Sequence, residues 1–337
     1  AGDAVLASRF EADDVSNLAW MPLAPADPDA AIELTSHTES WQSVSIFGFG
    51  ADGESVHYLA SISDGRNQLF VDDLDAGTPA VPVHPELAAE QSVRWRQVAP
   101  GGSAIAYRVS TVDMPMTTSG VLFAATVDGT AVGPAVDVSG GEVSGGDLSW
   151  SPDSRWVVYT LSSDPPRKWI AHPGGDEVAR FMLPDSGTSA AVFDDDARFL
   201  YYIADDERLL RVDVAGDSPG APELVSETPA AGGMQTTSDS AWLAFVGNDP
   251  GGNWAAYLLE TARLPAFTLR IDVPPEAGAR LSPSARLTGD DRFIVTREFI
   301  EHGVVSRVHA TALAQPGVTV TLGASVGGAY TTVPAPR

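Results

Sequence analysis

The chain has no cysteine, so disulfides, thiolate metal sites and a cysteine nucleophile are all excluded, although this alone does not fix the compartment. Basic residues are scarce as well: 20 Lys and Arg stand against 45 Asp and Glu, a net charge of −25, and Lys168 is the one lysine. Such a field repels phosphate backbones and anionic lipid surfaces, so we expect no nucleic-acid binding and no membrane-surface role. It favours cationic partners, divalent ions or plain solubility. No apolar run approaches the roughly 18 residues of a membrane-spanning helix, so membrane insertion is not expected. Helical periodicity is also missing from every segment longer than about ten residues. The first residue is alanine and no basic stretch followed by an apolar core opens the chain, so leading residues are expected to have been removed.

What the 337 residues do contain is a globular composition, 44% hydrophobic, and a repeat. The stretch LSWSPDSRWVVYTL, residues 148–161, reads as a strand end, a tight turn at Ser151-Pro152-Asp153-Ser154 and a strand carrying Val157 and Tyr159. The same spacing links Asp52 to Val56 and Tyr58, Gly101 to Ile105 and Tyr107, and Asp195 to Phe199 and Tyr201. It also links Asp239 to Leu243 and Phe245, and Asp290 to Ile294 and Thr296, where the aromatic is lost. These turn residues recur every 42 to 52 positions. Each aromatic strand is followed by a polar loop and a third short strand, namely Leu69–Val71, Val121–Phe123, Leu209–Val212 and Ala255–Leu258. Four short strands per period of this length describe propeller blades, and the chain length accommodates about seven.

The expected fold class is therefore all-β, a beta-propeller of seven four-stranded blades in one domain spanning residues 1–337, with six blades as the alternative. The seventh blade is split: Val5–Ala7, Leu18–Trp20 and Ile32–Leu34 supply three strands, and Ala329–Val333 the missing inner one, so that pairing of the N- and C-terminal strands closes the ring. This reading disposes of Gly48-x-Gly50-x-x-Gly53, which has the form of a dinucleotide-binding fingerprint but is followed by β-favouring residues and another turn rather than a helix. These are turn and close-packing glycines.

The Trp150-Ser-Pro-Asp-Ser-Arg-Trp-Val-Val-Tyr159 stretch resembles the repeat of TolB-like propellers, a repeat also found in the propeller domains of prolyl oligopeptidase and dipeptidyl peptidase relatives. The resemblance runs through most of the chain as weak copies and implies a fold; it does not imply a function, because the motif is a structural turn. It also implies an address outside the cytoplasm: secreted, periplasmic or at the cell surface.

Candidate chemistry is sparse. Gly323-Ala-Ser325-Val-Gly327 has the form of a nucleophile elbow, yet no Asp, Glu or His follows it, so it reads as a turn before a closing strand, and no catalytic residue is assigned. The histidines His37, His57, His84, His172, His302 and His309 show no ligand spacing. Some propeller lyases that share the repeat gather histidines around a metal, but their motif has no residue-by-residue match here. Aspartate runs such as Asp194-Asp195-Asp196 offer calcium a set of oxygens, although turn capping accounts for them better; no cofactor is expected, with calcium in these loops as the alternative.

Function is expected on the loops that follow the aromatic strands, whose contents vary while the strands repeat. Their candidate binding residues are Arg66, Asp113, Met114, Met116, Arg167, Lys168, Trp169, Asp205, Asp206, Trp254 and His302. Met114 and Met116 suit an adaptable apolar contact, and Arg167-Lys168-Trp169 a carboxylate or a sugar ring. The expected function is a non-catalytic binding or scaffold module that presents a loop face to a protein or peptide. The alternatives are a propeller-type glycan lyase or hydrolase with its site in the central depression, and a structural subunit of a surface assembly.

Overall fold

The structure, a computed structural model, describes residues 4–10, 16–22, 32–35, 43–50, 52–63, 66–74, 79–111, 120–143, 148–174, 178–262, 268–271, 280–300, 305–314 and 319–326. Every regular element among them is a strand. No described helix is long and apolar enough to cross a membrane. The chain packs as two compact units, residues 1–164 with 169–180 (unit 1) and residues 165–168 with 181–337 (unit 2).

Unit 1 opens with an antiparallel sheet of β1 (Ala4–Phe10), β2 (Ser16–Pro22) and β3 (Ile32–Glu33). A four-stranded sheet follows: β4 (Ser43–Phe49), β5 (Ser55–Ser63), β6 (Arg66–Asp73) and β7 (Val81–Pro82), in sequence order. The next strands are β8 (Gln91–Val98), β9 (Ala104–Thr111), β10 (Gly120–Asp128), β11 (Ala131–Val132), β12 (Val136–Val143), β13 (Ser149–Trp150), β14 (Val157–Leu161), β15 (Arg167–His172) and β16 (Ala179–Met182). They form one sheet because β12 pairs with β10 and also, at Val143, with Leu161 of β14, joining the five strands β8–β12 to the four strands β13–β16.

Unit 2 contains three four-stranded antiparallel sheets, each in sequence order. The first is β17 (Ser186–Phe193), β18 (Phe199–Ala204), β19 (Leu209–Asp213) and β20 (Glu223–Ser226). The second is β21 (Ala230–Thr236), β22 (Trp242–Asn248), β23 (Trp254–Glu260) and β24 (Thr268–Arg270). The third is β25 (Arg280–Leu287), β26 (Phe293–Ile300), β27 (Val305–Ala312) and β28 (Thr319–Val326). Successive hairpin-linked sheets of this kind are propeller blades.

The turns between first and second strands share one backbone bond, from the amide of the first turn residue to the carbonyl five residues on, and in three of them side chains reinforce it in the same way. At Ser151–Trp156 the Ser151 hydroxyl donates to Asp153 Oδ1 at 2.6 Å and accepts the Trp156 amide at 2.9 Å. Asp153 Oδ1 also accepts the Arg155 amide at 3.1 Å. Thr237 with Asp239 and Thr288 with Asp290 reproduce the pattern. Short polar side chains thus take up the amides that a sharp reversal leaves unpaired. The residue after the aspartate enters the left-handed region, as Ser154 (φ 64°), Ser240 (φ 55°) and Asp291 (φ 53°) do.

Strand alternation then sends successive side chains into layers on either side of each blade. Tyr58 joins Leu18 and Val56 on one side of its sheet. Leu59, from the other side, joins Val93, Ile105 and Tyr107 of the next. Tyr159 lies with Ala106, Leu122 and Val138, and Phe245 with Tyr201 and Leu209. Cross-strand ring pairs reinforce three of these layers: Tyr58–Phe70, Tyr107–Phe123 and Phe245–Tyr257 stack with centroids 5.7, 5.8 and 5.4 Å apart. Thr296, the position without an aromatic, is buried as well.

The structure corrects the sequence reading in two places. In the blade of β17–β20 the turn is closed by Asp194, whose Oδ1 accepts the Arg198 and Phe199 amides, both at 2.8 Å. Ala197 is the left-handed residue, so Asp196 and not Asp195 matches Asp153. That one-residue slip reverses the facing: Tyr201 packs toward Leu243 and Phe245 of the following sheet, whereas Tyr159 and Phe245 pack toward the preceding one. Secondly, Gly323–Val326 is not a turn but the end of β28, with Ser325 paired to Ser306 of β27. The proposed closing strand Ala329–Val333 lies outside the described residues.

Tyr159 tests the layered core. It is buried, and its hydroxyl donates to the Val138 carbonyl at 3.0 Å. Tyr159→Ala is expected to cost about 3 to 5 kcal/mol in urea unfolding, and Tyr159→Phe about 1 kcal/mol through the lost hydrogen bond. An alanine variant less than about 1 kcal/mol below wild type would contradict this packing.

Candidate functional site

In unit 2 the loops after the second strands meet the segments that enter each sheet. The Asp205 amide donates to the Asp185 carbonyl, the Ala230 amide to that of Glu207, and the Asn248 amide to that of Pro229. Glu207 takes a left-handed conformation to close the four-residue turn before β19. This backbone stitching assembles a polar surface.

Arg167, at the start of β15, donates through Nη1 to the Ser186 carbonyl at 2.9 Å and pairs with Asp205. Arg208 pairs with Asp206 at 2.5 Å and lies 3.9 Å from Asp185. That bond holds the Asp206 carboxyl below its usual range and raises the Arg208 guanidinium. Asn248 Nδ2 donates to Glu207 Oε2 at 3.5 Å. Asp249 Oδ1 accepts the Gly251 and Asn253 amides, both at 2.9 Å, while Oδ2 pairs with Arg270 at 3.0 Å. The Asn253 bond is the main reason the Asp249 carboxyl titrates low. Trp254, paired with Asn248 at the first position of β23, is 38% exposed. Arg208–Asp206 and the carboxylate of Arg167–Asp205 face solvent, and such pairs add little to folding, so a partner can replace them at little cost; Arg270–Asp249 is more enclosed.

Of the residues anticipated from sequence, Arg167, Asp205, Asp206 and Trp254 belong to unit 2 and lie on or beside these loops. Arg66 belongs to unit 1, where it begins β6 and donates to the Ala88 carbonyl at 3.0 Å. Asp113, Met114, Met116 and His302 lie outside the described residues. Lys168 and Trp169 are not loop residues. Lys168 is 1% exposed inside β15, its backbone bonded to Ser186 Oγ and to the Leu183 amide. Trp169 packs against the core layer of Tyr159. Pro165-Pro166 ends the loop sooner than the polar run suggests, and a lysine's apolar stem tolerates burial. The loop partners missed from sequence are Asp185, Glu207, Arg208, Asp249 and Arg270. Only Asp249, in Asn-Asp-Pro-Gly-Gly-Asn, carries a local turn signal.

Titratable groups also occur away from the loops. Across β26, β27 and β28, Glu298 Oε2 lies 3.2 Å from His309 Nε2, and His309 Nδ1 lies 3.2 Å from Thr321 Oγ1. Arg307 reaches the same carboxylate at 3.6 Å. In unit 1, His57 faces the layer of Leu59 and Ile105 and is 6% exposed. Burial, helped by the positive charge of Arg96, pushes its imidazole down to about 4. Burial likewise lowers the Arg96 guanidinium to about 10. Among the described residues no three His, Asp or Glu side chains gather as a metal site.

No protein-family model and no curated protein sequence matches the chain. Solved structures do. Prolyl oligopeptidase B from Galerina marginata aligns over 84% of this chain and 44% of its own, with 13% identity and a TM-score of 0.54. A prolyl endopeptidase aligns over 82% and 41%, with 18% identity and a TM-score of 0.53. TolB from Acinetobacter baumannii aligns over 92% and 76% with 12% identity, but at a TM-score of 0.43 that likeness carries no argument. The chain spans less than half the length of the two peptidases, and at these identities the likeness shows fold alone. The protein is therefore an all-β protein of the propeller type. Beyond that class, its own residues have to define it.

His57 supplies a test with a definite sign. Its folded-state value of about 4 lies below the ordinary 6.5. The stability it contributes is therefore complete above pH 6.5 and is lost as the pH falls toward 4, where the unfolded chain binds a proton that the native state refuses. The loss amounts to about 3 kcal/mol. Urea midpoints measured between neutral and acid pH should fall more steeply for wild type than for His57→Gln. Parallel profiles would mean that the imidazole is not held neutral.

Proposed function

We propose that this protein is a non-catalytic binding module acting outside the cytoplasm, which captures a protein or peptide on the loop surface of unit 2. The observation that supports this reading is the composition of that surface: two exchangeable pairs, Arg167–Asp205 and Arg208–Asp206, and the more enclosed pair Arg270–Asp249, with the exposed indole of Trp254. An aromatic anchor rimmed by weak ion pairs is how recognition surfaces are made. The excess of carboxylates over guanidinium groups favours a basic partner segment. The extracytoplasmic address follows from what the repeat resembles.

A second reading, the glycan lyase or hydrolase, has one observation in its favour. The Glu298–His309–Thr321 row sets a carboxylate on one imidazole nitrogen and a hydroxyl on the other, an order suited to proton transfer.

Pull-downs from envelope and culture-supernatant fractions separate the two, with wild type and Trp254→Ser as baits, each with calcium and with chelator. Binding through the loop surface predicts a retained protein whose capture falls about tenfold or more with Trp254→Ser while the circular dichroism spectrum is unchanged. Loss of capture in chelator would assign calcium to the aspartate loops. Equal capture by both baits removes Trp254 from the site. Degradation of an acidic polysaccharide by wild type but not by His309→Asn, with nothing captured, establishes the enzyme instead.

A further inference from the structure

Neighbouring turns are latched to one another by the side chain of the left-handed residue. In unit 1 the Ser154 hydroxyl accepts the amide of Gly101, in the turn before it, at 2.9 Å. In unit 2 Ser240 accepts the amide of Asp196 at 3.0 Å, and the Asp291 carboxylate accepts that of Ser238 at 2.6 Å. One pair within unit 1 lacks the latch. Between the turns 50–55 and 99–104 the corresponding residue is Gly102, at φ 68°, which has no side chain to offer. A cavity of about 300 Å³ occupies that place.

The cavity is built in two zones. Exposed Asp52, Ser103 and Asp128 stand at its mouth, and buried His57, Val71 and Ile105 line its depth. Asp52 Oδ1 accepts the Ser55 amide and hydroxyl, both at 2.9 Å, and the Glu54 amide at 3.0 Å. Burial raises the Asp52 carboxyl, but these bonds together outweigh it and hold the group below its usual range. Its Oδ2 faces Gly129, where a Cβ would stand 3.8 Å away. At the other end His57 Nδ1 is buried without a hydrogen-bond partner. Gly48 leaves the ring its room, since a Cβ there would stand 2.9 Å from Cε1. A buried nitrogen left unpaired on a residue that lines a cavity calls for a ligand group to satisfy it. Among the described residues no three carboxylate or imidazole side chains converge as a metal site.

We propose that this cavity binds a small primary amine bearing a hydroxyl group a few carbons away. The ammonium meets Asp52 and Asp128 at the mouth, with the protein's strong negative charge favouring its approach. The carbon chain lies over Val71 and Ile105. The hydroxyl reaches His57 Nδ1, and because a hydroxyl both donates and accepts it serves either imidazole tautomer. The site uses none of the loop residues of unit 2.

The probe is 4-amino-1-butanol, titrated at neutral pH and followed by amide chemical shifts, with 1-butanol as the uncharged comparison. Saturable binding at millimolar concentration is expected, with shifts centred on residues 50–57 and 101–103 and with 1-butanol about tenfold weaker or worse. Gly102→Ser supplies the missing latch in a conformation that Ser154 and Ser240 already hold, so it should fold, tie the two turns together across the cavity and abolish binding. Asp128→Asn, on an exposed hairpin, should weaken binding about tenfold and decides the matter by itself if Gly102→Ser does not fold. Shifts that never saturate, equal binding of 1-butanol, or undiminished binding to a folded variant would each overturn the proposal.

Discussion

Everything else in this protein depends on the closure of one turn. In six described turns the amide of the first residue donates to the carbonyl five residues ahead; in four of them the side chain of that first residue, a serine, threonine or aspartate, also accepts the amide five ahead, and in three it is steadied by an aspartate two residues on. That bond sets where the second strand of the blade begins. Since strand side chains alternate, the starting residue decides which of them enter the layer on each side. Tyr58, Tyr107, Tyr159 and Phe245 are core residues because the turn before each has fixed their phase.

The layers in turn determine what the rest of the sequence can do. Polar side chains caught in phase with a layer are buried whatever their chemistry, and so Lys168 and His57 are enclosed while Arg167 stays half-buried at a strand end. Side chains at the blade ends escape this constraint and form the ion-paired loops of unit 2. The turn ends have their own logic: the left-handed residue both permits the reversal and, where it is serine or aspartate, ties one turn to the one before it. Glycine at position 102 keeps the reversal and omits the tie, which leaves a space that the repeat elsewhere fills.

Much of this was legible beforehand. The turn-to-aromatic spacing located six second strands, and the third strands at Leu69, Val121, Leu209 and Ala255 all stand where the pattern placed them. The exception is instructive. Asp194-Asp195-Asp196 offers three aspartates for one role, and spacing to an aromatic did not choose among them because Tyr201 and Tyr202 are adjacent. Hydrogen bonding chose Asp194 as the cap and Asp196 as the match to Asp153. The loop surface was legible only in part. Arg167, Asp205, Asp206 and Trp254 were anticipated, but Arg270 and Asp185 come from other segments, and nothing in the linear order pairs them with Asp249 or Arg208.

The sequence by itself determined the elements of this protein, because turn capping and two-residue alternation are local effects that act within about ten residues. Composition likewise determined its strongly anionic character. Tertiary structure alone decided which side of a strand faces which neighbour, which guanidinium meets which carboxylate, and that a missing side chain at Gly102 coincides with a buried, unpartnered imidazole at His57. Those outcomes depend on contacts between residues 21 to 53 positions apart. A local pattern specifies that such residues will be brought near one another, but only packing specifies what they touch.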